Sequence, residues 1–226
     1  MNDPLPASQT EFAAQTLASL AVQLPGATAV FRRHKLDFCC GGRVSLADAA
    51  TSRGLALSAV TAELEALAAQ AAPLPPPPAS NALIDRIETR YHAVHRQQLP
   101  ELIRLARRVE AVHREHPAVP QGLADLLTTI EQELGSHMQK EEQILFPMLR
   151  RGGNPMVAHP IAMMMTEHDD HGVLLRALEK TANGFEGPSD ACTTWRALNS
   201  GLARFAEDLT EHIHIENNIL FPRFLD

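Results

Sequence analysis

The chain has 226 residues, 45% of them hydrophobic but only 4% aromatic, and a formal net charge of −7. That is enough apolar material for a buried core, and its richness in Ala and Leu favours helices over strands. The negative charge argues against a nucleic-acid partner, which needs a basic face, and no apolar run reaches the roughly 20 residues of a membrane span. The opening MNDPLPASQT lacks the basic and apolar stretches of a secretory leader. The three cysteines, Cys39, Cys40 and Cys192, form no secreted disulfide framework, so a reducing cytoplasm is the expected setting.

In chain order, Phe12, Leu17, Leu20 and Val22 predict one helix, Ala27 to His34 a second and Leu57 to Ala69 a third, with DFCCGG as a glycine-ended turn between the last two. The stretch from Ala72 to Ser80, APLPPPPAS, carries five prolines. It cannot continue a helix and reads as a stiff extended linker. It divides a small N-terminal helical domain, 1–71, from a bundle, 81–226. Four long helices are predicted beyond it. The first runs from Asn81 to His113, with a kink at Pro100, and the second from Gln121 to Arg151, stopped by Gly152-Gly153. The third runs from Pro160 to Asn183 and the fourth from Asp190 to Phe224. Short links make them antiparallel neighbours, so the fold class is all-α, with an up-down four-helix bundle.

The bundle repeats itself. HMQKEEQILFP, His137 to Pro147, matches HIHIENNILFP, His212 to Pro222: each reads His-x-x-x-Glu followed by Ile-Leu-Phe-Pro. The preceding helices carry His92-x-x-His95 and His168-x-x-His171. Residues four apart share a helix face, so His137 with Glu141, and His212 with Glu216, present a nitrogen and a carboxylate in one direction. At matching depth, the four helices bring His92, His137, His168, His212, Glu141 and Glu216 into one layer. Spacing leaves the choice between His92 and His95, and between His168 and His171, open. Glutamates in an apolar core are costly, and a metal removes that cost. Imidazole and carboxylate without thiolate suit iron or manganese. Two bridging carboxylates, four imidazoles and a bridging oxygen would leave each of two octahedral ions about one open position. His214 is expected to point away from His212 and lie exposed. His113, His116 and His159 fall at helix ends or loops and receive no role.

These motifs, with DFCCGG, RYHAVHRQQLPEL, EHDDHG and ACTTW, resemble the RIC family, "repair of iron centres", the hemerythrin-like di-iron proteins of the YtfE/ScdA type. The resemblance covers nearly the whole chain and implies two non-haem iron ions, oxo- or hydroxo-bridged, on His92, His137, Glu141, His168, His212 and Glu216. It selects the first histidine of each HxxH. It further implies repair of iron–sulfur clusters damaged by nitrosative or oxidative stress, through release of labile iron to damaged client proteins. Reduction of nitric oxide at the two irons, and reversible binding or sensing of NO or O2, are the alternatives it carries. A homodimer is compatible with it.

The Cys39-Cys40 pair, followed by Gly41-Gly42, reads as a tight exposed turn. By itself the pair is a couple of small buried residues capping a mini-core. The resemblance instead gives Cys39 and Cys40 a part in iron or nitrosyl transfer. Cys192, at the start of the fourth bundle helix, reads as packing.

Overall fold

A computed structural model describes residues 7–72 and 76–225; residues 1–6 of the opening segment, residues 73–75 of the proline stretch and residue 226 lie outside the described residues. The described residues are helical, with one isolated antiparallel bridge between Thr16 and Ser45. No helix among them is long and apolar enough to cross a membrane. The chain forms two compact units, one of Met1–Pro78 with His214–Arg223 and the other of Ala79–Ile213 with Phe224–Asp226.

The first unit begins with α1 (Ala7–Ala14), α2 (Leu17–Gln23) and α3 (Ala27–Arg33), followed by α4 (Leu46–Ser52) and α5 (Leu57–Gln70). The single helix expected through Phe12 and Val22 is broken at Thr16. Its extended backbone lets Oγ1 accept the Ser19 N–H at 3.1 Å and cap α2. Helix α4 was not expected; its signal is Ser45-x-x-Asp48, where the Ser45 hydroxyl accepts the Asp48 N–H at 3.1 Å and donates to Asp48 Oδ2 at 2.7 Å. Leu17, Leu20, Phe31, Phe38, Leu46 and Leu64 form the core of this unit. The segment after the cysteines is stitched to the start of α2 by Ala18 N–H to Gly42 O, 2.8 Å, and Leu17 N–H to Val44 O, 3.1 Å. Gly42 is obligatory there, since a Cβ would lie 2.4 Å from Phe38 O. The expected exposed turn is therefore half sunk: Gly42 and Cys39 are buried, Cys40 is intermediate and Gly41 is exposed.

In the second unit, α6 (residues 80–112) joins Ser80–Arg86, a π-helical segment Ile87–His92 and Ala93–Val112. Helix α7 (residues 123–150) likewise joins Leu123–Lys140, a π segment Glu141–Leu145 and Phe146–Arg150. Helix α8 is Ala158–Thr181, and α9 (residues 193–220), whose residues from His214 on belong to the first unit, joins Thr193–Ile215 to a π segment Glu216–Leu220. Apolar residues at helical spacing, such as Leu99, Leu102, Ala106 and Val109 on α6 and Leu127, Ile130 and Leu134 on α7, are buried. Contacts pair early residues of one helix with late residues of the next: Glu110 with Ala124 and His92 with Glu142 between α6 and α7. Between α6 and α9, His95 meets Phe205 and Arg90 meets Asp208. The neighbours are antiparallel. Helix α6 continues through Pro100, and the departure from α geometry lies earlier, at residues 87–92.

Candidate metal centre

The three π segments fall on the layer of polar residues: His92 closes the first, while Glu141 and Glu216 open the other two. A π turn inserts one extra residue into a helical turn and changes which side chain faces inward, a device frequent at functional sites. Donor atoms of His92, Glu141, His212 and Glu216 all lie within 4.8 Å of one another, and so do those of His137, Glu141, His168 and Glu216. Both glutamates belong to both groups. All six side chains are at most 1% exposed.

The geometry inside is that of converging lone pairs. His92 Nε2 lies 3.1 Å from His212 Nε2, and His137 Nε2 lies 3.0 Å from His168 Nε2. Glu141 Oε2 is 3.3 Å from His92 Nε2 and 3.5 Å from His137 Nε2, yet neither of its oxygens has a hydrogen-bond partner among the described residues. A buried carboxylate left this way costs several kcal/mol in an apolar site unless a cation neutralises it.

Two further carboxylates set the tautomers. Glu142 Oε1 accepts from His92 Nδ1 at 2.8 Å, and Arg96 clamps Glu142 with two bonds of 2.8 and 2.9 Å. Glu167 Oε2 accepts from His137 Nδ1 at 2.9 Å, and Lys140 donates to Glu167 Oε1. A proton held on Nδ1 leaves Nε2 as a bare donor facing the cluster. Burial works against charge on Glu142, but the hydrogen bonds from Arg96 and His92 outweigh it and hold the carboxyl below its ordinary value. The hydrogen bond from His137, with help from Lys140, takes Glu167 down to about 2. Sequence reading missed this shell. Glu142 and Glu167 do adjoin Glu141 and His168 in the chain, but the Arg96 and Lys140 pairings are tertiary.

His95 and His171 are buried but belong to neither donor group. Burial, then the neighbouring imidazoles, pushes them to about 2 and about 3, so both stay neutral. His95 packs edge-on against Phe205 and His171 against His137. Tyr91 stacks on His212 and Phe146 on His92, walling the layer with rings. His214, expected to be exposed, is 3% exposed. It is buried in the first unit, its ring against Phe38.

Cys39 and Cys40 stand with their sulfurs 3.4 Å apart, and Asp37 Oδ1 is 3.5 Å from Cys39 Sγ while accepting the Cys40 and Gly41 N–H groups at 3.0 Å each. The three donors form another tight group. The hydrogen bond with Cys40, then burial and the Asp37 charge, raise the Cys39 thiol well above its usual range. Cys192 lies in the second unit, its sulfur 3.2 Å from His113 Nε2 beside Trp195, so His113 has a packing partner that its place at a helix end did not suggest.

Residues 83–224 match the hemerythrin HHE cation binding domain, and residues 13–68 match ScdA_N, a domain of unknown function. Proteins named iron-sulfur cluster repair protein YtfE are similar over nearly their whole length. The one from Citrobacter koseri is 49% identical over 95% of this chain and 98% of its own, and that from Cronobacter sakazakii is 47% identical over 95% and 97%. That from Escherichia coli O81 is 47% identical over 93% and 96%.

Proposed function

From the premise that this chain belongs to the hemerythrin-like family of iron-sulfur cluster repair proteins, we propose that it holds two iron ions and returns labile iron to iron–sulfur clusters damaged by nitrosative or oxidative stress. The observation that carries the reading is the shared pair of glutamates: Glu141 and Glu216 complete both donor groups, each otherwise made of two imidazoles. A set of nitrogen and oxygen donors without thiolate suits iron. When bound, such a pair of ions supplies Lewis-acid and one-electron chemistry.

The protein's own part is to hold the donors ready. Glu142 and Glu167 keep a proton on Nδ1 of His92 and His137 and so aim Nε2 inward. Arg96 and Lys140 keep those carboxylates ionised. Tyr91 and Phe146 keep water from the rings they cover. Cys39 and Cys40, with Asp37, offer a small donor set of different chemistry, two sulfurs and an oxygen, suited to iron in transit as cargo. Residues 1–71 are read as the cysteine-pair domain, 72–80 as linker and 81–226 as the bundle, with matches at 13–68 and 83–224 in support. Three free thiols fit a reducing cytoplasm.

The test loads the full chain with ferrous iron without oxygen and mixes it with a protein whose [4Fe–4S] cluster has lost an iron. Cluster recovery with wild type, its failure with Glu141→Leu, and its slowing in Cys39→Ser/Cys40→Ser at unchanged iron content are expected. Equal recovery with the metal-free Glu141→Leu protein would refute iron donation.

A further inference from the structure

The two copies of the ligand motif align residue for residue, and their departures are informative. Gln139, Glu142 and Gln143 of the first copy become His214, Asn217 and Asn218 in the second. In the first copy Gln139 and Gln143 are exposed, and Glu142 serves His92. In the second copy His214 and Asn217 are buried and Asn218 is intermediate. Positions 214, 217 and 218 are spaced i, i+3, i+4, so they form one stripe. Residues 212 and 216, on the same run of helix, form another. One helix thus carries metal-site donors on one face and something else beside it.

What the second stripe meets is the cysteine turn, within the first unit. Asn217 Nδ2 donates to Cys39 O at 3.0 Å, and Asn218 Nδ2 donates to Phe38 O at 3.0 Å. Asn218 Nδ2 also lies 2.8 Å from His214 Nδ1, and the His214 ring packs edge-on against Phe38 with centroids 5.3 Å apart. Asn218 has two amide hydrogens, and these two acceptors use both. His214 is then an acceptor at Nδ1. Both asparagines grip main-chain carbonyls, so they fix the backbone of the turn and leave the thiols out of the bond.

We infer that His214, Asn217 and Asn218 are a latch for the cysteine pair: they position the Phe38–Cys40 turn so that the Cys39 thiol is held shut against electrophiles and metal ions, and letting go of the two carbonyls opens it. In the latched turn Cys39 is 7% exposed and packed against Cys40 Sγ and the Asp37 carboxylate, so a reagent or metal ion has little access to its sulfur. The outer carboxylate of the first motif copy, Glu142, has its counterpart in Asn217, an amide that holds the backbone of the cysteine turn. This inference stands on the turn itself and holds whether or not the protein donates iron.

The test is the rate at which iodoacetamide labels each cysteine of the full chain, read by mass spectrometry of the peptides, in wild type and in Asn217→Leu/Asn218→Leu. Leucine keeps the volume and removes both donors. With two hydrogen bonds gone, labelling of Cys39 is expected to rise about tenfold, while Cys192 labels at its wild-type rate and metal content per chain is unchanged. Cys192, in the other unit, reports general loosening of the fold. A Cys39 rate within about twofold of wild type in a folded variant would overturn the latch. So would Cys39 and Cys192 accelerating together in both the double variant and the milder Asn218→Ser.

Discussion

Glu141 sits fully buried, 3.3 and 3.5 Å from two imidazole nitrogens, with neither oxygen hydrogen-bonded among the described residues. Its replacement by leucine removes a charge that a dry core does not want, so Glu141→Leu is expected to lose most bound iron while circular dichroism shows the helices intact. Glu142→Gln and Glu167→Gln act one step out. Each weakens the carboxylate that orients a ligand imidazole, and iron affinity is expected to fall roughly ten- to a hundredfold in a chelator competition. Retention of wild-type affinity in both would mean the Nδ1 partners do not orient the rings. At this scale the clustering of His137, Glu141, His212 and Glu216 was legible because Glu four residues after His, twice, with the same flank, is a geometric statement about a helix face, whereas spacing left His92 against His95 and His168 against His171 open. The outer pairings were not legible. Arg96 reaches Glu142 and Lys140 reaches Glu167 across helices, and nothing in a single segment announces them. The exposure expected of His214 failed for the same kind of reason: its ring is covered by Phe38, a residue far away in the chain.

Among the elements, the long helices could be read from their apolar period, and their ends from Gly152-Gly153 and the loops around it, where positive φ values of 92° and 70° stop α7. The π segments could not be read, because a one-residue expansion leaves the hydrophobic period nearly intact while shifting the ligands by part of a turn. Helix α4 was missed although its capping pair was in the sequence, since seven residues carry too few apolar repeats to show a period. Ser45→Ala removes that cap and is expected to lower stability by about 1 kcal/mol in urea unfolding followed by circular dichroism. The cysteine turn adds a pH dependence. Cys39 holds its proton in the folded chain above the usual thiol range, so at alkaline pH the folded state binds more protons than the unfolded one. Stability is then full below the ordinary thiol value and falls as pH rises through the window between that value and the folded one. Urea midpoints for wild type and Cys39→Ser should therefore diverge between neutral and alkaline pH, with wild type the more sensitive. Parallel curves would contradict the raised thiol.

Across the whole molecule, a donor set assembled from four helices makes metal and fold reinforce each other. An ion that binds only the folded chain stabilises it by mass action, by about 4 kcal/mol when its free concentration is a thousand times the dissociation constant. Thermal unfolding should therefore shift upward on loading with ferrous iron and return on chelation, and Glu141→Leu should show no shift. This layer is proposed to hold two irons. That occupancy is tested most directly by elemental analysis of the protein loaded with ferrous iron without oxygen and freed of excess metal, beside Glu141→Leu treated identically. Two irons per chain are expected in wild type, with zinc and manganese near absent, and little iron in the variant. One iron or none in wild type, or equal occupancy in the two proteins, would contradict it.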